Sequence, residues 1–425
     1  MVELNEVLYN ELLVELRVDK DFITEAAGAF RWDLEQGLKG TEFSSLQMLP
    51  SYIGLPEGNE KGKYLALDFG GTNVRAAIVE LLGAGRYTTV RRVEKPLITD
   101  SYNLIDSHAT REELFSFLAG IIEEVIDHDS QTEYFLGHTF SFGTEQHGIN
   151  EARLIRWAKE FAVPGVEGED VNRLLYAALS ARGFGNVRPV AILNDTVAVL
   201  LATAYSYPDT CIGSIYATGH NTCYMEKMPD IGRPACILNM ESGGFSKLVP
   251  TKWDLQLDSL SEKPGRQRLE KMVSGRYMGE LFSRLVGELL GLENAPVLSA
   301  VDMSLLMADD SSAYQSLKGL PAEMSLEQYE NLGALAKALA IRSARLVAAT
   351  WAGTLWHLAS NDKILPQHIA VDGSVYQHMP YVRENVMRAL YELLGEEAGG
   401  LEPVLVKDGS GVGAAIAAAV ACRDI

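Results

Sequence analysis

The sequence predicts an α/β fold that is built twice, giving two domains around a cleft. Two observations carry this. Residues 65–79 read as strand, tight turn and strand, and residues 212–227 repeat that grammar. Each unit is followed downstream by a short buried strand, at 190–193 and at 369–371, that runs into small or polar residues. Ligands of such folds sit outside strand ends where connections diverge, so the turns are the candidate site.

In chain order, residues 3–38 read as helix. Leu4, Leu8, Leu12 and Leu16 share one face, and Phe22, Ala26, Phe30 and Leu34 another. A polar turn at 55–62 precedes the first unit. There an apolar run ends in Asp68, Gly70 and Gly71 turn the chain, and Ala76 to Val79 resume it. The two glycines are free to take positive φ and to let backbone N–H groups approach an anion. Thr72 and Asn73 offer side-chain hydrogen bonds, and Arg75 a permanent charge. Asp68 could orient a magnesium ion through its water shell. By itself the segment fits a phosphate-holding hairpin or an ordinary tight turn. A strand-rich zone extends to residue 98, followed by an amphipathic helix near 110–127 and a strand at 135–142. The strand at 190–193 runs into Asn194-Asp195-Thr196, good capping sequence for the apolar helix 197–206.

The second half has a turn with Gly219 between strands at 212–217 and 222–227, then a strand with a Gly-Ser turn at 369–375. Residues 408–413 read as a glycine-rich turn opening an Ala-rich helix, where amides and a helix N-terminus converge on a spot suited to an anion or nucleoside. Residues 296–335 read as a variable helical insertion.

At 425 residues the chain has room for two or three domains. A formal net charge of −20 argues against non-specific affinity for nucleic acid or anionic lipid, so an anionic substrate needs a local basic pocket. Cys211, Cys223, Cys236 and Cys422 lack paired spacing, which indicates neither a zinc site nor a disulfide framework and fits reduced thiols in cytosol. Glu3, Glu6 and Glu11 stand where a signal peptide would be basic and apolar, and the small-apolar run 414–422 is too short to span a bilayer. A cytoplasmic location is expected. The Gly-x4-Gly-Lys-Ser/Thr loop is absent.

Eight ordered blocks carry a family resemblance. LALDFGGTNVRAAIVEL (65–81) resembles the first phosphate motif of the eukaryotic-type hexokinase family, and GHTFSFGTEQHGINEARLIRWAKEF (137–161) its sugar-binding segment. VAILNDTVAVLLATAY (190–205), GSIYATGHNTCYMEK (213–227), NMESGGF (239–245), KPGRQRLEKMVSGRYMGE (263–280), VDGSVY (371–376) and GSGVGAA (409–415) follow in the family's order. The resemblance implies the duplicated ribonuclease-H-like core shared with actin and the heat-shock chaperone ATPase. It implies N-terminal helices (1–62) belonging to a large domain, a small domain (63–193), the rest of the large domain (194–412) and a last helix (413–425) returning to the small one.

The implied activity is ATP-dependent phosphorylation of the 6-hydroxyl of glucose and related hexoses such as mannose or fructose. The resemblance makes Asp195 the general base, reversing the capping reading. It assigns sugar contacts to Ser141, Lys159, Asn194, Asn221, Glu241 and Glu270, with Gln267 beside them. Without it, Glu270 and Lys159 read as solvated helix residues. Phosphate and nucleoside contacts fall to Gly70, Gly71, Thr72, Asn73, Arg75, Thr218, Gly219, Gly409 and Ser410. Magnesium would be held mainly through water near Asp68 and Asp195. Ala158, Gly143, Ala217, Val412 and Ser242 depart from the family pattern; Ala158 removes one sugar hydrogen bond and Val412 one positive charge near the nucleotide. Those two losses motivate the alternative, a catalytically weak sugar sensor on the same scaffold. An actin-like or chaperone-like ATPase would have no reason to carry the blocks at 137–161 and 263–280. A homodimer is an open expectation.

Overall fold

A computed structural model describes residues 4–127, 132–157, 160–227, 235–308, 314, 317, 319–361 and 363–424. The chain opens with helices α1 (Glu6–Glu15) and α2 (Lys20–Leu38) and the two-residue strand β1 (Leu49–Pro50). The single helix expected over 3–38 is therefore two. The break follows from Asp19, whose carboxylate caps α2 by accepting from Phe22 N at 3.0 Å, so the chain restarts a helix there.

Next come β2 (Lys61–Phe69), β3 (Asn73–Gly83), β4 (Arg86–Pro96), α3 (Arg111–Glu123), β5 (Tyr134–Phe140), the hairpin β6 (Gly143–Gln146) and β7 (Ala152–Arg156), α4 (Val171–Ala181), β8 (Val187–Leu193) and α5 (Asp195–Ser206). The second half runs β9 (Ile212–Tyr216), β10 (His220–Glu226), β11 (Cys236–Asn239), α6 (Lys252–Leu260), α7 (Arg268–Val273), α8 (Gly275–Leu289), α9 (Ala300–Met307) and α10 (Leu326–Leu358). It closes with β12 (Gln367–Asp372), α11 (Ser374–His378), α12 (Val382–Leu394), β13 (Leu401–Leu405) and α13 (Gly409–Ala421).

The duplication is visible in strand order. The first sheet runs β4-β3-β2-β5-β8 and the second β11-β10-β9-β12-β13, with β1 added at its edge. In each, the first three strands pair antiparallel and the next two join parallel to the first. The parallel strands are nearly continuous apolar runs because helices cover both faces.

Within 296–335, the expected helical insertion, α9 and the opening of α10 bury Met303, Leu306, Leu332 and Leu335 in the core. Two expectations are refined. The strand from 369 ends at Asp372 and the expected turn falls at Gly373 (φ 138°), but Ser374 and Val375 are helical, the start of α11. Residues 409–413 are the first turns of α13 rather than a loop, and the turn residue is Asp408 at φ 57°.

Helix α13 packs against α5 and against β2, β5 and β8 of the first sheet. Its approach requires missing side chains. A Cβ on Gly413 would lie 2.0 Å from the Ala198 carbonyl oxygen, and one on Gly137 would lie 1.8 Å from that of Ala414. Val412 is 3% exposed and belongs to this apolar layer, so its side chain is part of the packing.

Candidate active site

The C-terminal ends of β2, β8, β9 and β12 converge on one cavity of about 280 Å³. It is lined by Asp68, Gly70, Gly71, Thr72, Asn73, Arg75, Ser141, Asp195, Ile215, Asp372 and Ser410. Nine of these eleven were singled out in the sequence, from four separate stretches; Ile215 and Asp372 were not.

The β2–β3 turn is built differently from the expectation. Neither Gly70 nor Gly71 takes positive φ. Gly70 is needed for a close approach instead, because a Cβ there would sit 2.3 Å from Ser141 Cβ. Asp68, at the end of β2, accepts from Ser410 Oγ at 2.6 Å and pairs with Arg75 Nη1 at 3.3 Å. Ser410 is itself tied back, its carbonyl accepting from Thr139 Oγ1 at 2.8 Å. Burial pushes the Asp68 carboxyl above its ordinary range, opposed by the Ser410 hydrogen bond and the Arg75 charge.

Asn194, not Asp195, caps α5: its side-chain oxygen accepts from Thr196 N at 2.9 Å. Asp195 is the first helical residue. Its Oδ1 accepts from Thr196 N at 2.7 Å and from Thr196 Oγ1 at 3.2 Å, so the carboxylate is anchored through one oxygen. A helix N-terminus favours negative charge at that place.

Asp372 ends β12 in the same cavity. Burial, then the Asp195 charge, raise its carboxyl to about 6. The signal that could have found it is its position: β12 repeats the role of β8, and each strand-to-helix junction carries an aspartate, Asp372 as the last residue of β12 and Asp195 as the first of α5. The carboxylates Asp68, Asp195 and Asp372 repel one another, and their oxygens with the Ser410 hydroxyl make a donor set suited to a hydrated magnesium ion. Among the described residues no cluster of three or more His, Cys, Asp or Glu side chains is set to hold a metal directly.

Asn221, Glu241, Gln267 and Glu270 gather beside the cavity, outside its lining. Asn221 Nδ2 donates to Asn239 Oδ1 at 2.8 Å, and Asn239 Nδ2 donates to Glu241 Oε1 at 2.8 Å. Glu270 Oε2 accepts from His220 N at 3.0 Å. Burial raises the Glu241 carboxyl, the Asn239 bond lowers it, and the charges of Asp195 and Glu270 raise it further, which ties this group to the cavity. Glu241 (φ 53°) and Gln267 (φ 52°) both lie in the left-handed region, costing roughly 1 kcal/mol each. Gln267 Oε1 is buried without a hydrogen-bond partner. Asn239 was missed; it belongs to this network by cross-strand position, two residues before Glu241.

Thr218 and Gly219 form the β9–β10 turn but do not line the cavity; Glu270 Oε2 lies against Gly219, 3.0 Å from where its Cβ would be. Gly409 is a packing glycine, since a Cβ there would meet Val406 and Val199 at 2.8 and 3.0 Å. Lys159 and Ala158 lie outside the described residues.

A second acid sits at the hairpin. Asn73 Nδ2 donates to Glu94 Oε1 at 3.1 Å, and Arg75 Nε lies 3.1 Å from Glu94 Oε2, an ion pair by distance but not aligned as a hydrogen bond. Arg92 Nη2 donates to the same Glu94 oxygen at 3.3 Å and Arg92 Nη1 to Asp408 Oδ2 at 2.9 Å. Pairing with Arg75 holds the Glu94 carboxyl below its usual range.

Comparison with known proteins places this geometry. Two family models, both described as hexokinase, match residues 8–205 and 211–420. Hexokinase-1 of Schizosaccharomyces pombe is 32% identical, over 99% of this chain and 93% of that protein. Hexokinase-2 of Rattus norvegicus is also 32% identical, over 97% of this chain but 48% of that protein. Among solved structures, a hexokinase crystal structure superposes with a TM-score of 0.88 at 32% identity, covering 98% of this chain and 99% of that one. The hexokinase of Schistosoma mansoni, complexed with glucose, superposes at 0.80 and 28% identity, covering 97% and 99%. With both halves matched and one alignment running nearly end to end in each protein, the chain belongs to the hexokinase family.

Proposed function

We propose that this enzyme transfers the γ-phosphoryl group of ATP to the 6-hydroxyl of glucose and of related hexoses such as mannose or fructose, with Asp195 as general base. The observation that carries the reading is that Asp195 shares one cavity with Arg75 and the β2–β3 turn. Proton acceptor and phosphate holder are thereby brought within reach of one another.

Sugar hydroxyls suit the Asn221–Asn239–Glu241 network and Glu270, which together offer both donors and acceptors. A sugar lacking one of the matching hydroxyls forfeits a hydrogen bond to this network, which is how such a site rejects a poorer sugar. Asp195 spends Oδ1 on Thr196, leaving Oδ2 to face the reacting hydroxyl and take its proton as the O–P bond forms. Thr72, Asn73 and Arg75 face the polyphosphate, with backbone amides of the turn. Magnesium, held through water by Asp68 and Asp195, would neutralise phosphate charge. We further propose that residues 63–193 with 413–425 close over 1–62 and 194–412 when sugar binds, keeping water from the γ-phosphoryl group.

A coupled assay of ADP release over glucose, mannose, fructose and glucosamine, with Asp195→Ala as control, tests the reading. Hexose-dependent turnover that collapses in the variant is expected. Absence of hexose-dependent turnover in the unaltered chain would overturn it, and glucose binding without turnover would favour the sugar-sensor alternative.

A further inference from the structure

The residues assigned to phosphate are already engaged by a carboxylate. Glu94, on β4, takes the Asn73 amide at 3.1 Å and lies 3.1 Å from Arg75 Nε. It is about one-third exposed, so nothing in the packing forces it there. Arg92 offers the same carboxylate a second place to rest, at 3.3 Å, while held by Asp408 at 2.9 Å. Asp408 in turn leads directly into α13, whose Ser410 donates to Asp68, and Asp68 pairs with Arg75. The ring therefore closes through β2, β3, β4 and the start of α13. It holds three carboxylates and two guanidiniums, so one negative charge remains in excess where a polyanion must enter.

Resting on the proposed function, we propose that Glu94 is a built-in competitor for the nucleotide's phosphates. It occupies Asn73 and Arg75 in the empty site and is handed to Arg92 when the polyphosphate arrives. Three features support the exchange. Arg75 is divided between two carboxylates, Glu94 at Nε (3.1 Å) and Asp68 at Nη1 (3.3 Å), so releasing Glu94 does not leave it unpaired. Phosphate and carboxylate are alternative partners for one guanidinium. Arg92 keeps Glu94 paired after Arg75 leaves, which limits the cost of displacement. Nucleotide affinity is thus set partly by a side chain that does not need to touch the nucleotide.

The test is a double-mutant cycle on the full chain, read by calorimetric binding of MgATP and, separately, of inorganic triphosphate, with the KM for ATP and kcat measured alongside. Glu94→Gln is expected to tighten both ligands about three- to tenfold, from the lost ion pair and the lost like-charge repulsion. The KM for ATP should fall with it, while the KM for hexose stays put. Arg92→Gln leaves Glu94 with Arg75 as its one cation, beside the Asn73 amide, and is expected to weaken both ligands by a few-fold. In the double variant that weakening should vanish. Unchanged or weaker binding in Glu94→Gln, or an Arg92→Gln loss that persists in the double variant, would overturn the inference. Because binding is read apart from turnover, a chain that tightens on triphosphate but phosphorylates no hexose would sink the proposed function and leave this inference standing.

Discussion

Asp195 is the first residue of α5 and lines the cavity, with its Oδ1 spent on the helix N-terminus. Replacing it by Ala removes the proposed proton acceptor and leaves the cap on Asn194 intact. A kcat loss of about a thousandfold is expected, with glucose binding by calorimetry changed far less. Asp372 makes a separate, pH-dependent prediction. Its carboxyl is raised to about 6, so between the unfolded value of 3.8 and 6 the folded chain holds a proton that the unfolded chain has lost. Stability contributed by this group therefore falls as pH rises through that window, and the full penalty applies above it. Asp372→Asn should stabilise the chain by about 3 kcal/mol at pH 7.5 and by less than about 1 kcal/mol near pH 4. Urea unfolding midpoints at the two pH values, with chelator present, check the sign; a variant less stable than the parent at pH 7.5 would refute it.

Single elements test the glycines. In α2, Gly28 has nothing within 4 Å of the place its Cβ would take, and its φ is ordinary. Gly28→Ala is expected to stabilise by about 0.5–1 kcal/mol. Gly413→Ala and Gly137→Ala put a methyl within 2.0 and 1.8 Å of a carbonyl oxygen, and should cost about 3 kcal/mol or more, visible as a lowered thermal midpoint or lost soluble expression. These glycines also mark what the sequence could disclose. The strand-turn-strand units, the apolar strands and the phosphate hairpin were legible because local period and turn residues dictate them. The split of the first helix is marked just as locally, by Asp19, but the two apolar faces, read as one continuous helix, hide it. Gly70 looked like a positive-φ turn residue but serves a contact with Ser141, seventy-one residues on. Asp372, Asn239 and Glu94 carry no local mark either. Their significance comes from strands that meet only in the folded sheet.

At the scale of the whole molecule, two sheets of one strand order face the cavity, and the carboxylates at their ends repel one another across it. Saturating glucose is expected to draw the halves together, seen as a smaller radius of gyration by X-ray scattering, and to do so in Asp195→Ala as well, since binding and proton transfer are separate steps. An unchanged radius with glucose demonstrably bound would count against closure. Among the described residues no helix is long and apolar enough to cross a membrane. The seating of α13 has one more consequence. During translation, β2, β5 and β8 leave the ribosome long before the helix that roofs them, so the earlier-made sheet waits with a naked greasy flank until residues 409–421 have emerged. Its maturation cannot be strictly vectorial, and nascent chains stalled ahead of residue 409 should be the ones that chaperones hold.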